Sequence, residues 1–416
     1  MSEIGNVLVV GAGVIGSACA CALAERGVAV TAIDRRAPGR GCSYGNAGWL
    51  TPSLATPLPM PGVLRKSLKW LTKPDSPFYI KPSLNPQLLR WLWRFVRSAN
   101  RCTAEKSLAA LTQMAMFSLD AYRQLDEMAP GAFGFCQRGL ILAAGSQAAF
   151  DSAGEELEQV RRHGIEGHLL NATELREMEP SLVRGKLAGG VFFPNEAHVE
   201  PLATVQFLVS RAIEHGARFL DETELYEFVL HRGRITGVVT TRGLLRADHY
   251  VVATGNWSAA LTRQIGLRVP VLGGKGYALI VETFTPEPRH PINLADHKLA
   301  VTPRAGSVRL AGTLELVDAD ESITARRVRA IYRGASEYLN LPVEPELVET
   351  WRGLRPCTPD GVPIIGQAPQ IENLYLATGH QMLGLLSAPA TGQLLADLLT
   401  GQVPQFDPVP FRADRF

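Results

Sequence analysis

The feature that most constrains the fold is an uncharged, glycine-rich stretch at residues 7–24, which reads VLVVGAGVIGSACACALA. Its start is a short apolar run typical of buried parallel strands, so we predict a strand over Asn6–Val10. The glycines predict a sharp turn and then a helix that runs through Arg26 and ends at Gly27. An apolar strand over Val28–Ile33 completes a βαβ unit.

The turn of this unit reads Gly11-Ala-Gly13-Val-Ile-Gly16, a GxGxxG motif between a strand and a helix. Gly11 suits the sharp turn, Gly13 lets the backbone approach a pyrophosphate, and Gly16 allows the helix to pack closely on the strand. The helix N-terminus attracts phosphates, and Asp34 after the second strand suits an adenosine ribose. The unit predicts a dinucleotide site, and the alternative is a glycine turn without a ligand.

This unit alone fits either NAD or FAD, and three features favour FAD. The motif lies at the start of the chain, and no second GxGxxG follows it. Three alternating strands are also predicted, over Glu224–Leu230, Arg234–Thr241 and Gly243–Val252, and they lead into Thr254-Gly255. A meander before such a turn is typical of flavoproteins with the glutathione-reductase type of fold.

Composition excludes several other classes of protein. The 42 basic residues nearly balance the 40 acidic ones, which argues against a nucleic-acid partner. The six cysteines form no CxxC pair, so we expect reduced thiols, no disulfide framework and no metal site. No Lys or Arg precedes the uncharged stretch at residues 7–24 and glycines interrupt it, so we expect a soluble or at most peripheral protein.

The remaining pattern predicts a discontinuous cofactor domain. An apolar strand over Leu374–Ala377 leads through Thr378-Gly379 to a helix from about Pro389 to Leu399, which repeats the strand–glycine–helix order of the N-terminus. Further predicted elements are helices over Pro86–Arg101, Ser107–Met128, Gln147–His163 and Pro201–His215, and a strand over Gly139–Ala144. The proline-rich residues 52–86 predict an irregular segment that covers a site.

Several stretches together resemble the D-amino acid oxidase superfamily of FAD-dependent amine oxidoreductases, most closely the bacterial D-amino acid dehydrogenases. They are VLVVGAGVIGSACACALAERGVAVTAIDR (7–35), SYGNAGWLTPS (43–53), GGKGYALIV (273–281), GLRPCTPDGVPIIG (353–366) and NLYLATGHQMLGLLSAPATGQLLADLL (373–399). The resemblance implies an α/β protein: a Rossmann-like FAD-binding domain with an inserted substrate domain built on an antiparallel sheet. We assign residues 1–60, 146–262 and 351–416 to the FAD-binding domain, and residues 61–145 and 263–350 to the substrate domain.

The resemblance also implies which residues contact the FAD. His380 is assigned to flavin positioning, not to acid–base work, since relatives with the same Gly-His pair need no base for hydride transfer. We expect non-covalent FAD, because the cysteine that carries the flavin in monomeric sarcosine oxidase corresponds to Gly353, and Cys357 is expected to be a packed thiol. The expected contacts are Gly11, Gly13, Val14, Ile15, Gly16, Asp34, Arg35, Arg36, Cys42, Ser43, Asn46, Ala47, Gly48, Thr254, Gly255, Gly379, His380, Gln381, Met382, Leu383 and Gly384.

For the substrate, the resemblance assigns the carboxylate to Arg355, whose planar guanidinium pairs bidentately with such a group. The alternative for Arg355 is an ion pair with Asp360. The relatives' partner tyrosine is missing, because the matching stretch, residues 300–304, reads AVTPR. We therefore predict Tyr277 in its place, with Tyr44 as the next choice, and each could instead be a half-buried aromatic without a ligand.

The implied activity is an FAD-dependent dehydrogenase of D-amino acids, with D-proline or cis-4-hydroxy-D-proline as candidate substrates. No charged partner for a basic side chain is evident, and the LLSAPATG stretch is similar to glycine oxidase. The alternatives are an oxidase of glycine or sarcosine that uses O₂, and a flavin-binding electron-relay subunit without amine oxidation. The carboxylate-binding arginine argues against a relay.

One predicted helix bears on the electron acceptor of the reaction. Residues 88–101 place Arg90, Arg94, Arg97 and Arg101 on one face, and Trp91, Leu92 and Phe95 lie mostly opposite. Such a helix either contacts an acidic membrane or packs in the substrate domain with its arginines in water. The resemblance implies a membrane quinone as the acceptor. We expect a cytoplasmic protein, with peripheral contact to the inner face of the cell membrane in the first case.

Overall fold

The N-terminal βαβ unit forms as predicted in a computed structural model, which describes residues 4–61, 78–80, 85–317, 319–343 and 347–416. Strand β1 spans Val7–Val10, helix α1 spans Val14–Ala24 and strand β2 spans Val30–Ile33. The two strands are parallel neighbours. Every residue of α1 is buried, which explains why this helix carries no charge.

The other predicted helices begin and end within a few residues of the predictions, except that the helix predicted from Ser107 begins earlier. Asn100 is its N-cap and accepts a hydrogen bond from the Thr103 amide, so the first turn starts there. The helices after α1 are α2 (Pro86–Ser98), α3 (Arg101–Met128), α4 (Gln147–Arg161), α5 (Ala172–Met178), α6 (Pro201–Glu214), α7 (Ser258–Arg263), α8 (Ala325–Ser336) and α9 (Ala388–Thr400). Of these, α5, α7 and α8 were not predicted.

The strands lie between these helices, singly or in runs such as those over residues 218–252 and 272–317. After β2 they are β3 (Trp49–Leu50), β4 (Phe78–Ile80), β5 (Leu140–Ala144), β6 (His168–Asn171), β7 (Gly189–Phe193), β8 (Ala197–His198), β9 (Arg218–Leu220), β10 (Leu225–His231), β11 (Arg234–Thr240), β12 (Gly243–Leu245), β13 (His249–Val252), β14 (Leu272–Glu282), β15 (Ile292–Leu294), β16 (Leu299–Arg304), β17 (Ser307–Val317), β18 (Leu347–Cys357), β19 (Ile364–Gln367) and β20 (Leu374–Thr378).

A six-stranded sheet in the order β19-β20-β13-β1-β2-β9 forms one half of the fold, the half that is predicted to bind the cofactor. Its strands come from both ends and the middle of the chain, as the recurring strand–glycine–helix pattern predicts. All neighbours are parallel except β19 and β20. Helix α1 packs against α6 and α9 over this sheet. A Cβ on Gly392 of α9 would lie 2.5 Å from the Ala18 carbonyl oxygen, so α1 and α9 cross in backbone contact.

A nine-stranded sheet forms the other half, in the order β18-β14-β17-β16-β15-β5-β7-β6, with β4 paired to β17. It is mostly antiparallel, and the β15–β5 and β17–β4 pairs are parallel. On one side of this sheet, the long strand β14 pairs with both β17 and β18 over many residues. The predicted combination of a Rossmann-like sheet with a largely antiparallel second sheet is confirmed.

Sheet membership corrects two of the predicted domain boundaries. Strands β6 and β7 lie within residues 146–262, yet β7 pairs with β5 and β6 pairs with β7, so both belong to the nine-stranded sheet. Strand β18 crosses the boundary at residue 351, because all of it pairs with β14. The strand predicted over Gly243–Val252 is also two strands: β12 closes the meander, and β13 turns into the six-stranded sheet.

None of the helices in the described ranges is long and apolar enough to cross a membrane. Within the proline-rich segment, Pro52–Leu54 forms one 3₁₀ turn and β4 adds a short strand. Residues 62–77 and 81–84 of that segment lie outside the described residues.

Candidate functional site

A cavity of about 900 Å³ lies between the two sheets. One part of its wall comes from the ends of β1, β2 and β13 and from the loop after β20. The opposite part comes from one face of β14, β16, β17 and β18. The cavity therefore joins the glycine-rich motif, at the carboxyl ends of parallel strands, to the floor formed by the nine-stranded sheet.

The glycine-rich end has no room for side chains. Gly11 has a φ of +103°, and a Cβ there would lie 2.6 Å from the Ala253 carbonyl oxygen. A Cβ on Gly16 would lie 1.7 Å from the Gly11 carbonyl oxygen, so only glycine lets α1 approach the turn. The Val14 amide donates to Ser43 Oγ at 3.0 Å, which ties the helix N-terminus to the 41–48 loop.

Asp34 organises the turn next to this motif. Its Oδ2 accepts from the Ala12 amide at 2.7 Å, and its Oδ1 accepts from the Arg36 amide at 2.9 Å. The Arg35 guanidinium lies over the Trp257 ring, 4.3 Å from its centroid. The carboxylate thus holds the loop by both oxygens, and its contact with a ribose stays a prediction.

Most of the residues that the resemblance assigns to FAD line the cavity. The exceptions are Gly16, Gly48 and Gly379. They do not line the cavity, and a Cβ at each of them would collide with a neighbouring residue. Gly48, for example, has a φ of +86°, and a Cβ would lie 2.3 Å from the Val199 carbonyl oxygen. The lining members are Gly11, Gly13, Val14, Ile15, Asp34, Arg35, Arg36, Cys42, Ser43, Asn46, Ala47, Thr254, Gly255, His380, Gln381, Met382, Leu383 and Gly384.

The loop after β20 offers polar groups to this cavity. His380 Nε2 lies 2.9 Å from Thr391 Oγ1, and burial lowers the pKa of His380 to about 3, so the imidazole is neutral and a weak base. Gln381 Nε2 is buried and has no hydrogen-bond partner in the described part of the chain. A neutral cavity wall with an unused amide donor fits the electron-rich carbonyl edge of a flavin.

Arg355 lies on the floor of the cavity, on strand β18. Its guanidinium packs flat on Gly276, where a Cβ would lie 2.0 Å from Nη1. Nη1 donates to the Thr313 carbonyl oxygen at 2.7 Å, and no carboxylate is paired with Arg355 in the described ranges. Burial lowers the pKa of Arg355, with the Cys42 and Cys357 thiols as the neighbouring titratable groups, but an arginine stays cationic at neutral pH.

Asp360 does not pair with Arg355, so that alternative is wrong. Its Oδ2 accepts from Arg415 Nε at 2.7 Å, near the end of the chain. The cavity therefore contains a guanidinium with one arm fixed by a carbonyl, and no anion of the described residues is paired with it. Such a group is suited to a ligand's carboxylate.

The predicted tyrosines do not reach this site. Tyr277 is buried on the opposite side of β14, where its hydroxyl donates to Glu315 Oε1 at 3.5 Å and accepts from the Thr324 amide at 3.3 Å. Tyr44 donates to Glu349 Oε2 at 3.0 Å. Neither residue lines the cavity. The prediction for Tyr277 is wrong because successive residues of a strand face opposite sides, and its neighbour Gly276 is the one that faces Arg355.

Sequence reasoning missed other residues at the floor. The Trp351 indole is wedged between Gly45 and Gly353, where added Cβ atoms would lie 1.9 and 2.0 Å from its ring. Trp49 also lines the cavity, and its Nε1 donates to Thr302 Oγ1 at 2.9 Å. The signal for Trp351 is its position two residues before the glycine of the GLRP stretch, since that spacing puts both on one strand face.

The cysteines fit a cavity without covalent attachment. Cys357 is fully buried, burial raises the pKa of its thiol to about 12, and it does not line the cavity. Cys42 lines the cavity, and its thiol donates to the Leu354 carbonyl oxygen at 3.1 Å. Within the described ranges, no group of three His, Cys, Asp or Glu side chains is placed to hold a metal ion.

Comparison with known proteins gives one consistent result. Residues 6–398 match the family described as FAD dependent oxidoreductase. The D-amino acid dehydrogenase of Vibrio atlanticus is 32% identical over 95% of this chain and 96% of its own length. That of Bradyrhizobium diazoefficiens is 31% identical over 99% of both chains. Glycine oxidase from Geobacillus kaustophilus superposes with a TM-score of 0.80 at 25% identity, covering 99% of this chain and 98% of its own.

Proposed function

Because the chain belongs to the family of FAD-dependent oxidoreductases, we propose that it is a dehydrogenase that oxidises a D-amino acid to its imino acid and so to the 2-oxo acid. The D-amino acid dehydrogenases to which it is similar support this activity. When bound, FAD would supply the oxidising power, as the acceptor of the hydride from the substrate Cα. This chain supplies the binding site, the orientation of the substrate and an electrostatic environment suited to the reaction.

The cofactor-binding residues are those that form the glycine-rich half of the cavity. The backbone around Gly11 and Gly13, with the start of α1, is proposed to bind the pyrophosphate, and Asp34 the ribose. The segment His380–Gly384 is proposed to contact the flavin, with Gln381 as a side-chain donor. FAD is proposed to be held without a covalent bond, since the cysteine of the GLRP stretch, Cys357, is outside the cavity lining.

One observation carries the proposal: Arg355 presents a cation inside the cavity, and no carboxylate in the described part of the chain is paired with it. Its anchor role explains why the position opposite it is Gly276, since any side chain there would displace the guanidinium. A carboxylate bound to Arg355 would fix the α-carbon relative to the rest of the cavity. An electron relay would have no use for this buried cation.

The substrate class is proposed to be a cyclic D-imino acid such as D-proline or cis-4-hydroxy-D-proline. The floor near Arg355 includes small or apolar residues, with Gly353, Trp351, Ala311 and Leu314 in the lining. These residues offer no ion pair to a charged side chain, whereas a compact ring fits beside an indole. The similarity to a solved glycine oxidase favours, as a second candidate, an oxidase of glycine or sarcosine that uses O₂.

The test is anaerobic mixing of the purified holoprotein with D- and L-amino acids, both cyclic and linear. We expect D-proline and related D-imino acids to bleach the flavin absorbance and L-proline not to do so. Air is then admitted and peroxide is measured. Stoichiometric peroxide with glycine or sarcosine would show that the protein is an oxidase and not a dehydrogenase. If no amino acid reduces the flavin, the electron-relay subunit is the function that fits.

The electron acceptor is proposed to be a membrane quinone, reached through helix α2 at the inner face of the cell membrane. This helix exposes Leu89, Trp93 and Val96, whose exposed fractions are 53%, 57% and 50%. Arg90 and Arg97 accompany them, and the Arg97 guanidinium lies over the Trp93 ring at 4.7 Å. An exposed apolar stripe beside arginines is suited to an anionic lipid surface.

Flotation with vesicles of anionic or neutral lipid tests this contact. We expect the protein to float with anionic vesicles at low salt, and Trp93→Ser to reduce the floated fraction. A protein that stays entirely at the bottom of the gradient at low salt would reject the membrane contact and leave a cytoplasmic enzyme with another acceptor.

A further inference from the structure

Thr313 has an unusual backbone conformation at the floor of the cavity. It lies within β17, yet its φ is +62°, in the left-handed region that β-branched residues rarely adopt. The pairing of β14 with β17 shifts register at this place, between Lys275 and Tyr277. Thr313 is therefore the residue of a β-bulge, which interrupts one of the longest strand pairs of the sheet.

The bulge turns Thr313 toward the substrate anchor. Its carbonyl oxygen accepts the 2.7 Å hydrogen bond from Arg355 Nη1, whereas a regular strand would direct this carbonyl into the ladder. The residue also lines the same cavity as Arg355. The strained backbone and the guanidinium contact thus coincide at one residue, and strain of this kind is retained where function requires it.

The Thr313 hydroxyl is a second distinctive feature. Oγ1 is buried and has no hydrogen-bond partner within the described part of the chain. A buried hydroxyl without a partner destabilises a fold, and a valine of the same shape would remove that penalty. Thr313 lines the same cavity as Arg355, and neither predicted tyrosine does so.

We propose that Thr313 is the second carboxylate-binding residue: its carbonyl orients the Arg355 guanidinium and its hydroxyl donates a hydrogen bond to the substrate carboxylate. This inference rests on the proposed function. Thr313, on a bulged strand, then binds the carboxylate in place of the tyrosine that the resemblance implies. A hydroxyl changes its hydrogen-bond partner by rotation about χ1. Because Thr313 Oγ1 has no partner in the described part of the chain, we expect it to donate to the ligand carboxylate.

The experiment compares three variants with the wild-type holoprotein. Thr313→Val keeps the side-chain shape and removes the hydroxyl, Thr313→Ser keeps the hydroxyl, and Thr112→Val is the matched control. Thr112 is a buried threonine of α3 that also has no hydroxyl partner within the described ranges, and it does not line the cavity. Each variant is measured by its melting temperature and by anaerobic flavin reduction at increasing D-proline concentration.

Both valine variants are expected to melt at a higher temperature, because each removes an unsatisfied hydroxyl. Only Thr313→Val is expected to raise the apparent dissociation constant of D-proline, by roughly ten- to hundredfold for a lost hydrogen bond to a charged group. Thr313→Ser should restore most of the affinity. A Thr313→Val protein with unchanged D-proline affinity would overturn the inference, as would an equal loss with D-prolinamide, which has no carboxylate.

These outcomes are separate from a failure of the proposed function. If no amino acid reduces the wild-type flavin, the dehydrogenase proposal is wrong. Binding of pyrrole-2-carboxylate, followed by the flavin spectrum, then tests Thr313 alone. Thr313→Val should weaken this binding in the same proportion, and unaltered binding would overturn the role of the hydroxyl.

Discussion

Replacing Arg355 by methionine removes the charge on which the proposed site depends. Methionine fills a similar length of space and does not introduce a carboxylate or an amine. The guanidinium has no internal ion pair to lose within the described ranges, and its hydrogen bond to the Thr313 carbonyl is the protein contact that disappears. The fold is therefore expected to survive, and the effect should fall on the substrate.

The magnitude follows from the contacts that a bidentate carboxylate makes. Two hydrogen bonds between charged groups contribute about 1.5–3 kcal/mol each in such a site, or about 3–6 kcal/mol together. At about 1.4 kcal/mol for each factor of ten, Arg355→Met should lower kcat/KM for D-proline by roughly a hundredfold to ten-thousandfold.

The assay is anaerobic stopped-flow reduction of the flavin with D-proline and with D-prolinamide. The amide keeps the ring and the reacting carbon but has no carboxylate. Wild-type protein should prefer D-proline by about the factor that Arg355→Met loses, and the variant should treat both compounds alike. If the variant loses equal activity with both compounds, or loses none with D-proline, the carboxylate anchor is refuted.

Three further perturbations test the cavity and its surroundings. Gly16→Ala should abolish FAD binding, because the added Cβ would lie 1.7 Å from a backbone carbonyl oxygen, and the flavin absorbance of the purified protein measures the loss. Gly276→Ala should retain FAD but weaken D-proline binding at least tenfold, since the methyl group would occupy the place of the Arg355 guanidinium. The Glu196 carboxyl accepts a hydrogen bond from the Ser53 amide, but burial raises its pKa from 4.5 to about 8. Between these two pH values the unfolded chain releases the proton and the folded protein keeps it, so the wild type should lose up to about 5 kcal/mol of stability as pH rises. Glu196→Gln should remove that slope in denaturant titrations at several pH values, and an unaltered slope would contradict the assignment.

The cofactor half of the fold could be predicted because its sequence signals are local. A glycine that lets a helix approach a turn, such as Gly16, is specified by its immediate neighbours. The predicted strands on either side of α1 and at β20 agree with the structure within a few residues. The role of Asp34 extends further than predicted, because its two backbone hydrogen bonds depend on how the loop after β2 folds back.

The substrate half was less predictable because it depends on long-range pairing. Arg355 was identified from a motif, but the side of the strand that each tyrosine faces depends on the register of β14 with its neighbours. A shift of one residue exchanges the two faces, so Gly276 meets the arginine and Tyr277 enters the opposite core. The bulge at Thr313 has no signal in the sequence, since a threonine in a strand predicts regular pairing.

The most direct test of the central claim is a crystal structure of the holoprotein with pyrrole-2-carboxylate, a planar analogue of D-proline that cannot be oxidised in the same way. We expect FAD in the cavity and both carboxylate oxygens within about 3 Å of hydrogen-bond donors that include Arg355. A carboxylate bound elsewhere in the cavity, with the guanidinium contacting only the protein, would show that Arg355 is not the anchor.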